Sequence, residues 1–479
     1  MKTDIKNFGG NVVFSPKYLY NPSSEKEVLD ILNRHKDAKI RVRGSLHAWS
    51  DVVSSEDVII DLKNIKNIIV EKDKNGDSWT TVSGGCVLSE LTNYLNSLGL
   101  TVPTLGAIQR QTIAGAISTG THGSGNSSIS HYIQEIRVAA YDSGSGRAKI
   151  YEFKEGDRLR AARCSLGCMG VILSVKFKCP KDYWIEEKTT VFENITEVLD
   201  GEKEYPLQQF GLLPFKWEFI AYQRRTTNNV PRGLGAFKMS LLKLADYLGT
   251  EVLTHFAIKL LANFSNKGAD GGRIRWFYKD FITSFINPRT VANQSIRALT
   301  LHTSHHDLFQ HLEMEVFIPS VHIKKAAEAV RWVTSVFSDS RLNLPEEVVV
   351  DIKKAGMLEE LIKNKGSYTQ HYPLFFRRVL PDDTLISMTS GGQTYYSLSF
   401  FTYLSPDKRE RFYNYAGFMA RLLLNLYDAR LHWGKYFPLL NKDIERLYPN
   451  LPFFRQLCNS VDPKGVFRNK FTSQVLGFP

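Results

Sequence analysis

The sequence lacks the features that mark several common classes of protein. Its five cysteines, at positions 86, 164, 168, 179 and 458, form no set with the spacing of metal ligands, so we expect no metal site. An odd number of cysteines and an N-terminus without the apolar core of a signal peptide favour reduced thiols and a cytoplasmic location. Internal repeats and low-complexity tracts are also absent. The composition is that of a globular chain long enough for two or three domains.

The chain also lacks an uninterrupted apolar run long enough to cross a bilayer. Its most apolar segment, residues 239–264, is broken by Lys243, Asp246, Glu251 and Lys259. The helical spacing of its apolar residues predicts an amphipathic helix with a buried face. Peripheral contact with a membrane surface is the less favoured alternative.

Acidic residues are fewer than basic ones, 49 against 61, which gives a formal net charge of +12. Such an excess is able to attract nucleic acid, anionic lipid or acidic small molecules. The basic residues are dispersed, however, apart from local groups at 224–225 and 273–279. We therefore interpret the charge as a solvated surface and expect no nucleic-acid partner.

The most distinctive stretch that is present is glycine-rich and covers residues 105–125, LGAIQRQTIAGAISTGTHGSG. It matches neither the phosphate loop of common NTPases nor the GxGxxG turn of a dinucleotide-binding unit. Glycines at this density let a backbone approach a ligand, and free N–H groups and hydroxyls suit phosphate oxygens or a polar ring edge. A structural turn region is the alternative. The pattern predicts neither a helix nor a plain strand here.

Strands and helices alternate on both sides of this stretch. Ser24 and Glu27 predict a capping box at the start of a helix, and Gly99 predicts the end of another. Before the glycine-rich stretch we expect strands at 39–44, 58–62 and 79–83 and a helix at 89–98. After it we expect a hairpin of 134–141 with 149–153, a helix at 157–163 and a strand at 171–179.

The pattern changes after Pro180 to longer strands and helices with many aromatic residues. Here the periodicity predicts a strand at 312–318, a helix at 321–337 and a strand at 395–404. The tail is predicted to be helical from residue 412 and then rich in loops.

Three groups of residues, in this order, resemble a known family. They are RVRGSLHAWSD at 41–51, TIAGAISTGTHGSG at 112–125 with AARCSLGCMGVILSV at 161–175, and HWGK at 432–435 with YP at 448–449 and DPKG at 462–465. Together they resemble the sugar-lactone oxidases, the group of L-gulonolactone oxidase and D-arabinono-1,4-lactone oxidase. This group belongs to the vanillyl-alcohol oxidase and p-cresol methylhydroxylase superfamily of FAD flavoproteins.

The resemblance implies an α+β fold with three parts. Residues 1–182 would form a two-subdomain FAD-binding domain of the p-cresol methylhydroxylase type. Residues 183–420 would form a cap domain, with an antiparallel sheet and flanking helices, that binds substrate. Residues 421–479 would return to the FAD domain and close the site.

The same resemblance implies which residues bind FAD. His47 would be bonded covalently to the flavin 8α-methyl carbon, although a non-covalent contact or a solvent-facing ring are alternatives. Arg43 would offset the charge of the pyrophosphate. Ser45 and Leu46 stand where many members of the family carry glycine. The full set comprises Arg43, Gly44, Ser45, Leu46, His47, Ser50, Gly106, Thr112, Gly115, Ala116, Thr119, Gly120, Thr121, His122, Gly123, Val171, Ile172 and Lys435.

The residues that the resemblance implies for catalysis are Lys435, His432, Arg377 and Thr112. Lys435 would stabilise negative charge at the N1–C2 edge of the reduced flavin, and Thr112 would lie nearest the reactive ring. The family often has Glu-x-Arg on a cap strand, but here Phe375 stands where the Glu would be, two residues before Arg377.

Glu313 and Glu315 are alternative carboxylates on a preceding strand, where the period of two places them on one face. For Glu313 we favour a solvated strand edge.

The resemblance implies FAD-dependent oxidation of a CH–OH group in an aldonolactone, sugar or polyol. A hydride would pass to flavin N5, and O2 would reoxidise the flavin to give H2O2. Two alternatives are a dehydrogenase that uses another electron acceptor and a non-catalytic binding protein with this fold. The replacement of Glu by Phe375 weakens the case for the usual lactone substrate.

Overall fold

Short strands near the N-terminus form a parallel sheet in the order Tyr18–Tyr20, Val58–Asp61, Ile40–Arg43. The structure is a computed structural model that describes residues 4–230, 254–265, 272–282, 286, 289–301 and 310–478. A hairpin of Ile5–Lys6 with Val13–Phe14 precedes this sheet. The strands predicted at 39–44 and 58–62 are thus confirmed.

Helix Glu25–Arg34 follows the first strand of that sheet. The Ser24 hydroxyl accepts a hydrogen bond from the Glu27 backbone N–H, as the capping prediction requires. The Glu27 carboxylate accepts from the N–H of Ser23, one residue before the position that a capping box uses. Val28, Ile31 and Leu32 form the buried face. The predicted helix start is therefore confirmed, but the Glu27 carboxylate bonds to the N–H of Ser23 rather than to that of Ser24.

A second sheet is antiparallel and lies beside the first. Its strand order is Ile68–Lys72, Ser78–Ser83, Val171–Cys179, Ile133–Tyr141, Ala148–Phe153. The last two strands form the predicted hairpin, and Val171–Cys179 has the predicted bounds. Helices Leu88–Ser97 and Gly156–Arg163 also lie where the pattern placed them, and Gly99 has a φ of +69° just beyond the first.

Part of the glycine-rich stretch is a helix, Ile113–Ser118, so the prediction of neither helix nor strand is wrong there. The Thr112 hydroxyl caps this helix by accepting from the Gly115 N–H at 3.3 Å. Ile113 and Ile117 are fully buried one turn apart. A good cap and a buried apolar pair outweigh the low helix propensity of Gly115.

Strands between Trp184 and Leu431 build a large antiparallel sheet. Its order is Thr290–Gln294, Trp184–Phe192, Phe219–Thr227, Gln209–Leu212, Leu374–Val379, Tyr395–Thr402, Leu312–Pro319, Arg430–Leu431. The strands predicted at 312–318 and 395–404 are confirmed within two residues. Arg430–Leu431, from the C-terminal part, pairs with Phe317 and Val316 and covers one side of Leu312–Pro319.

Helices cover one face of this sheet. Ile323–Ser338 and Glu410–Tyr427 pack on each other and on strand Leu312–Pro319, which confirms the helices predicted near 321–337 and from 412. Among the described residues after 183, the other α-helices are Ile195–Asp200, Thr254–Ser265, Gly272–Trp276, Ser295–Leu299, Glu346–Lys354, Leu358–Lys363, Asn441–Ile444, Leu451–Val461 and Lys470–Leu476.

Thr254–Ser265 contains the end of the amphipathic helix predicted at 239–264, and residues 239–253 of that prediction lie outside the described residues. None of the helices that the structure describes combines the length and apolar character needed to span a membrane.

Candidate active site

A cavity of about 1030 Å³ lies between the glycine-rich stretch and the open face of the large sheet. Loop 43–49 and the glycine-rich stretch form one wall. Strands Leu312–Pro319 and Leu374–Val379 form part of the opposite wall, and loop 432–435 reaches the cavity from the side. The three groups of residues that carried the resemblance therefore all contribute to the wall of this cavity.

The loop from Gly44 to Ala48 lines the cavity. Leu46 has a φ of 58°, in the left-handed region, which turns the chain sharply. The N–H groups of Ser45, Leu46 and Ala48 donate to no main-chain carbonyl of the described residues. Successive N–H groups around a left-handed residue form a concavity that suits anionic oxygens. This loop therefore fits the pyrophosphate of FAD.

Gly44 allows the loop to pack against the helix that follows Thr112. A Cβ on Gly44 would stand 2.3 Å from the Thr112 hydroxyl oxygen. Because that oxygen caps helix Ile113–Ser118, it has a structural function at this position. The structure thus places Thr112 beside the start of loop 44–48.

Most of the predicted FAD-binding residues line the cavity. They are Arg43, Gly44, Ser45, Leu46, His47, Gly106, Thr112, Gly115, Thr119, Thr121, His122, Ile172 and Lys435. The expected role of Arg43 stays a prediction, and its guanidinium is also paired with the Asp61 carboxylate at 2.8 Å. Asp61 therefore already balances the charge that we expected Arg43 to offer to a pyrophosphate.

Ser50, Ala116, Gly120, Gly123 and Val171 are not among the residues that line the cavity, and their contact with FAD stays a prediction. The Ser50 hydroxyl donates to the backbone carbonyl of residue 433 at 2.7 Å. Ala116 and Val171 are fully buried in the hydrophobic core. Cβ atoms on Gly120 and Gly123 would meet a methionine side chain and a backbone carbonyl at 2.9 and 2.5 Å. These residues support the wall.

Loop 432–435 is hydrogen-bonded both to the large sheet and to loop 43–49. The His432 N–H donates to the Glu315 carbonyl at 3.0 Å, which ties the loop to the large sheet. The Trp49 N–H donates to the Gly434 carbonyl at 2.8 Å, which ties loop 432–435 to loop 43–49. The Trp433 ring is fully buried, and its N–H donates to the Ile386 carbonyl at 2.7 Å. The loop therefore presents His432 and Lys435 to the cavity from a rigid base.

Lys435 forms a buried ion pair with Glu313, to which its ammonium group donates a hydrogen bond. The ammonium nitrogen also lies 4.4 Å from the centre of the Trp49 ring, a cation–π contact. Glu313 is only 3% exposed. The solvated strand edge that we favoured for Glu313 is therefore wrong, because loop 432–435 lies against this part of the strand and Lys435 pairs with the carboxylate.

Glu315 lies at the centre of a second group of charges. Its Oε1 is 3.2 Å from His122 Nε2 and 3.8 Å from an Arg377 guanidinium nitrogen. Arg377 also donates to the Gln209 side-chain oxygen at 3.0 Å. Burial alone raises the pKa of Glu315, but His122 and then Lys435 outweigh this effect and hold the pKa well below its usual range. Glu315 is therefore a carboxylate.

His432 is a neutral hydrogen-bond donor at this site. Burial lowers its pKa to about 3. Its Nδ1 accepts from the Gly434 N–H at 3.0 Å, so the single proton of the neutral ring is on Nε2. His122, Glu315 and His432 bring atoms able to bind a metal within 4.8 Å of one another. With Nδ1 occupied and Nε2 protonated, however, His432 has no lone pair to offer a metal.

Apolar and aromatic residues form the part of the cavity that continues beyond these charges. Phe375 pairs across the sheet with Gly211, and a Cβ on Gly211 would stand 3.0 Å from the Phe375 ring. The Phe375 ring therefore occupies the space over a residue that has no side chain. Other members of this apolar wall are Leu213, Ile220, Ile258, Ile282, Tyr372, Phe401 and Tyr403.

The sequence singled out Phe375 but not Trp49, Gln209 or the other residues of this apolar wall. For Glu313 and Glu315 the sequence did contain a signal, because their alternation with Phe317 places the side chains on one face of a strand. For Gln209 and Phe401 the sequence alone offered no signal, because their position depends on which strands become neighbours.

Comparison with known families agrees with this geometry. The D-arabinono-1,4-lactone oxidase family matches residues 190–475, and the FAD binding domain family matches residues 16–145. A long-chain alcohol oxidase from an uncultured marine euryarchaeote is 40% identical over 98% of this chain and 96% of its own length. L-gulonolactone oxidase from Mus musculus is 25% identical over 98% of both chains. L-gulono-1,4-lactone dehydrogenase from Mycobacterium tuberculosis is 22% identical over 98% of both.

Solved structures show the same fold. Cholesterol oxidase from B. sterolicum superposes with a TM-score of 0.73 at 14% identity, over 99% of this chain and 97% of its own. A solvent-stable cholesterol oxidase superposes with a TM-score of 0.71, over 100% and 98%. The predicted α+β class with a p-cresol methylhydroxylase-type FAD-binding domain is confirmed. By its sequence, its fold and the residues around its cavity, the chain belongs to the D-arabinono-1,4-lactone oxidase family of FAD-dependent oxidoreductases.

Proposed function

We propose that this chain oxidises the CH–OH group of a long-chain alcohol to a carbonyl. The FAD would take the hydride at N5, and O2 would be reduced to H2O2, so that RCH2OH and O2 give RCHO and H2O2. The apolar wall around Phe375 is the observation that carries this proposal. A relative that is 40% identical over nearly the whole chain is a long-chain alcohol oxidase, which supports the same substrate class.

The charged residues would bind the hydroxyl group at the end of this wall. Lys435 and Arg377 are donors that line the cavity, and Glu313 and Glu315 balance their charges. The four side chains together carry no net charge, which suits a neutral alcohol. Donors fixed by carboxylates and by Trp49 would stabilise negative charge that develops on the substrate oxygen or on the flavin edge.

A sugar lactone is the second candidate substrate. The polar set of Arg377, Gln209 and Glu315 offers both donors and acceptors to several hydroxyl groups. The name of the matched family and the names of two relatives also favour a lactone. Against it stands Phe375, which removes one carboxylate and adds an aromatic ring.

The dependence of kcat/KM on the chain length of the alcohol distinguishes a long-chain alcohol from a sugar lactone as the substrate. We expect kcat/KM to rise about fourfold for each added methylene while the chain contacts the apolar wall, since burial of one CH2 is worth about 0.8 kcal/mol. A Phe375→Glu variant should lose at least about tenfold on a long-chain alcohol, and the control Phe375→Leu should stay within about fivefold. If L-gulono-1,4-lactone is a better substrate than every alcohol, the proposal is wrong.

The electron acceptor is tested separately. We expect H2O2 to form in the same amount as O2 is consumed, and the flavin to be bleached by the alcohol when O2 is excluded. Bleaching without O2 followed by slow reoxidation in air, with fast reoxidation by an artificial acceptor, would identify a dehydrogenase instead. Failure of every alcohol and lactone to bleach the flavin would favour a binding protein.

We also propose that His47 carries the FAD covalently. His47 lines the cavity within the loop whose N–H groups fit the pyrophosphate. After precipitation with acid, the wild-type pellet should be yellow, and that of His47→Ala should be colourless. Yellow colour only in the supernatant of the wild type would show that FAD is bound without this bond.

A further inference from the structure

The turn of the N-terminal hairpin packs against the loop that carries His47. Its sequence is NFGGN, residues 7–11, and Gly10 has a φ of +68°, which glycine adopts without steric cost. A Cβ on Gly9 would stand 2.3 Å from an atom of the Trp49 ring. The two glycines therefore let the turn close tightly and approach the loop. We call residues 7–11 the N-terminal turn.

The N-terminal turn supports the unusual conformation of the residue before His47. The left-handed φ of Leu46 is unfavourable for a residue with a Cβ. The Phe8 N–H donates to the Leu46 carbonyl at 2.9 Å, so a bond from outside the loop stabilises that conformation. Because the Leu46 carbonyl belongs to the peptide unit that leads into His47, this bond also fixes the direction in which the chain enters His47.

Two asparagines of the N-terminal turn hold the residues after His47. The side-chain amide of Asn7 donates to the Ala48 carbonyl at 2.8 Å, and that of Asn11 donates to the Trp49 carbonyl at 2.8 Å. Asn7 is only 3% exposed, so little water competes for its bond. The main chain is thus fixed on both sides of His47 by one short turn.

The Phe8 ring also restricts the His47 side chain. The centres of the two rings are 5.3 Å apart, and their planes are tilted by 52°. The Phe8 ring in turn contacts the rings of His311 and Trp49, with 5.5 and 6.1 Å between ring centres. A ring that is packed among its own neighbours limits the rotamers that are open to the imidazole beside it.

We propose that the N-terminal turn positions His47 for its covalent bond to FAD, with Asn7 and Phe8 as positioning residues. This inference rests on the proposed function, which includes that bond. In the reaction a His47 ring nitrogen bonds to the 8α carbon, and the methyl group and the ring nitrogen each lose a proton. The two electrons released reduce O2, the proposed acceptor, which takes up both protons and becomes H2O2. A reacting atom misplaced by about 1 Å reacts on the order of a hundredfold more slowly, so the bond requires a fixed imidazole.

The fraction of FAD that is covalently bound tests this proposal without any turnover. Each purified variant is precipitated with acid, and the flavin in the pellet is divided by the total flavin. The fraction should be nearly complete in the wild type and at least about twofold lower in Asn7→Ala and in Phe8→Ala, since a displaced ring nitrogen reacts more slowly. Incubation of these two variants with FAD in air should raise their fraction with time, because the bond is slowed rather than prevented.

Phe8→Leu keeps an apolar side chain beside His47 and should recover most of the covalent fraction. Asn64→Asp is the control for the asparagine, because the Asn64 amide also donates to a backbone carbonyl, that of Asn21 at 3.0 Å. It should link FAD like the wild type. A loss of total FAD or of thermal stability with an unchanged covalent fraction in Asn7→Ala and Phe8→Ala would overturn the proposal. Absence of covalent FAD from the wild type would overturn it together with the proposed bond, whereas a bond lost only in His47→Ala would overturn the positioning alone.

Discussion

At the scale of single residues, the site depends on charges that have been removed from water. Glu313 and Glu315 line the cavity together with Lys435 and Arg377, and both of these carboxylates are almost fully buried. Burial of an ion is costly, and it is offset only while the partner is in place. A substitution that breaks the Lys435–Glu313 pair should therefore lower both the activity and the stability of the protein.

The variant Lys435→Met should lose both activity and stability. We expect kcat to fall by roughly two to three orders of magnitude, since a fixed donor to developing negative charge is lost. The free energy of unfolding should fall by roughly 3–5 kcal/mol, because the buried Glu313 carboxylate is left without its partner. Urea denaturation and steady-state kinetics measure the two effects.

A second substitution separates the two roles. In the double variant Lys435→Met, Glu313→Gln the uncompensated charge is gone, so most of the lost stability should return while activity stays low. Recovery of activity together with stability would mean that Lys435 acts only by neutralising Glu313.

The sequence predicted Lys435, His432 and Arg377 because the resemblance attached them to motifs. It misplaced Glu313 for a physical reason. An acidic residue on an apolar strand is usually solvated, and only the approach of loop 432–435 from another part of the chain brings the compensating charge. Such a partner cannot be identified from the sequence until the topology of the sheet is known.

At the scale of elements, the fit of loop 44–48 against helix Ile113–Ser118 determines where a pyrophosphate would be bound. The contact point is Gly44, where even one carbon atom would collide with the Thr112 hydroxyl. A Gly44→Ala variant should therefore separate loop from helix and bind less FAD than the wild type. Flavin absorbance per mole of purified protein measures the effect.

Gly144→Ala is the control for that experiment. Gly144 lies in the hairpin turn, and the nearest atom to a Cβ there is 3.7 Å away. We expect it to keep a full complement of FAD and unchanged stability. A normal FAD content in Gly44→Ala would show that the loop tolerates the displacement and would contradict its assignment to the pyrophosphate.

Sequence periodicity predicted the long elements well and failed for a short one. Ile323–Ser338 and Glu410–Tyr427 each bury one face over several turns, which leaves a clear pattern. Helix Ile113–Ser118 has six residues and a glycine, so less than two turns were available to show a period. Its cap and its buried neighbours, rather than its propensity, stabilise it.

At the scale of the whole molecule, distant segments meet in one hydrophobic core. Residues of the C-terminal part, such as Trp433 and Phe467, belong to the same core as Val52 and Leu166. The sequence indicated, through the resemblance, that the C-terminal part returns to the FAD side. It did not indicate which groups join these segments, because hydrogen bonds to backbone carbonyls carry no sequence pattern.

Arg41 is one of the residues that join them. Its guanidinium is 4% exposed and donates to the carbonyls of Val52, Leu166 and Phe467. An Arg41→Met variant leaves the Leu166 and Phe467 carbonyls without a donor, while the Val52 carbonyl keeps the Asn469 side-chain amide at 3.4 Å. At about 1–3 kcal/mol for each carbonyl left without a donor, we expect a loss of at least roughly 2 kcal/mol in the free energy of unfolding. Urea denaturation should show it, with Arg34→Met, at an exposed helix end, within about 0.5 kcal/mol of the wild type. If Arg41→Met is as stable as this control, backbone packing alone holds the three segments together.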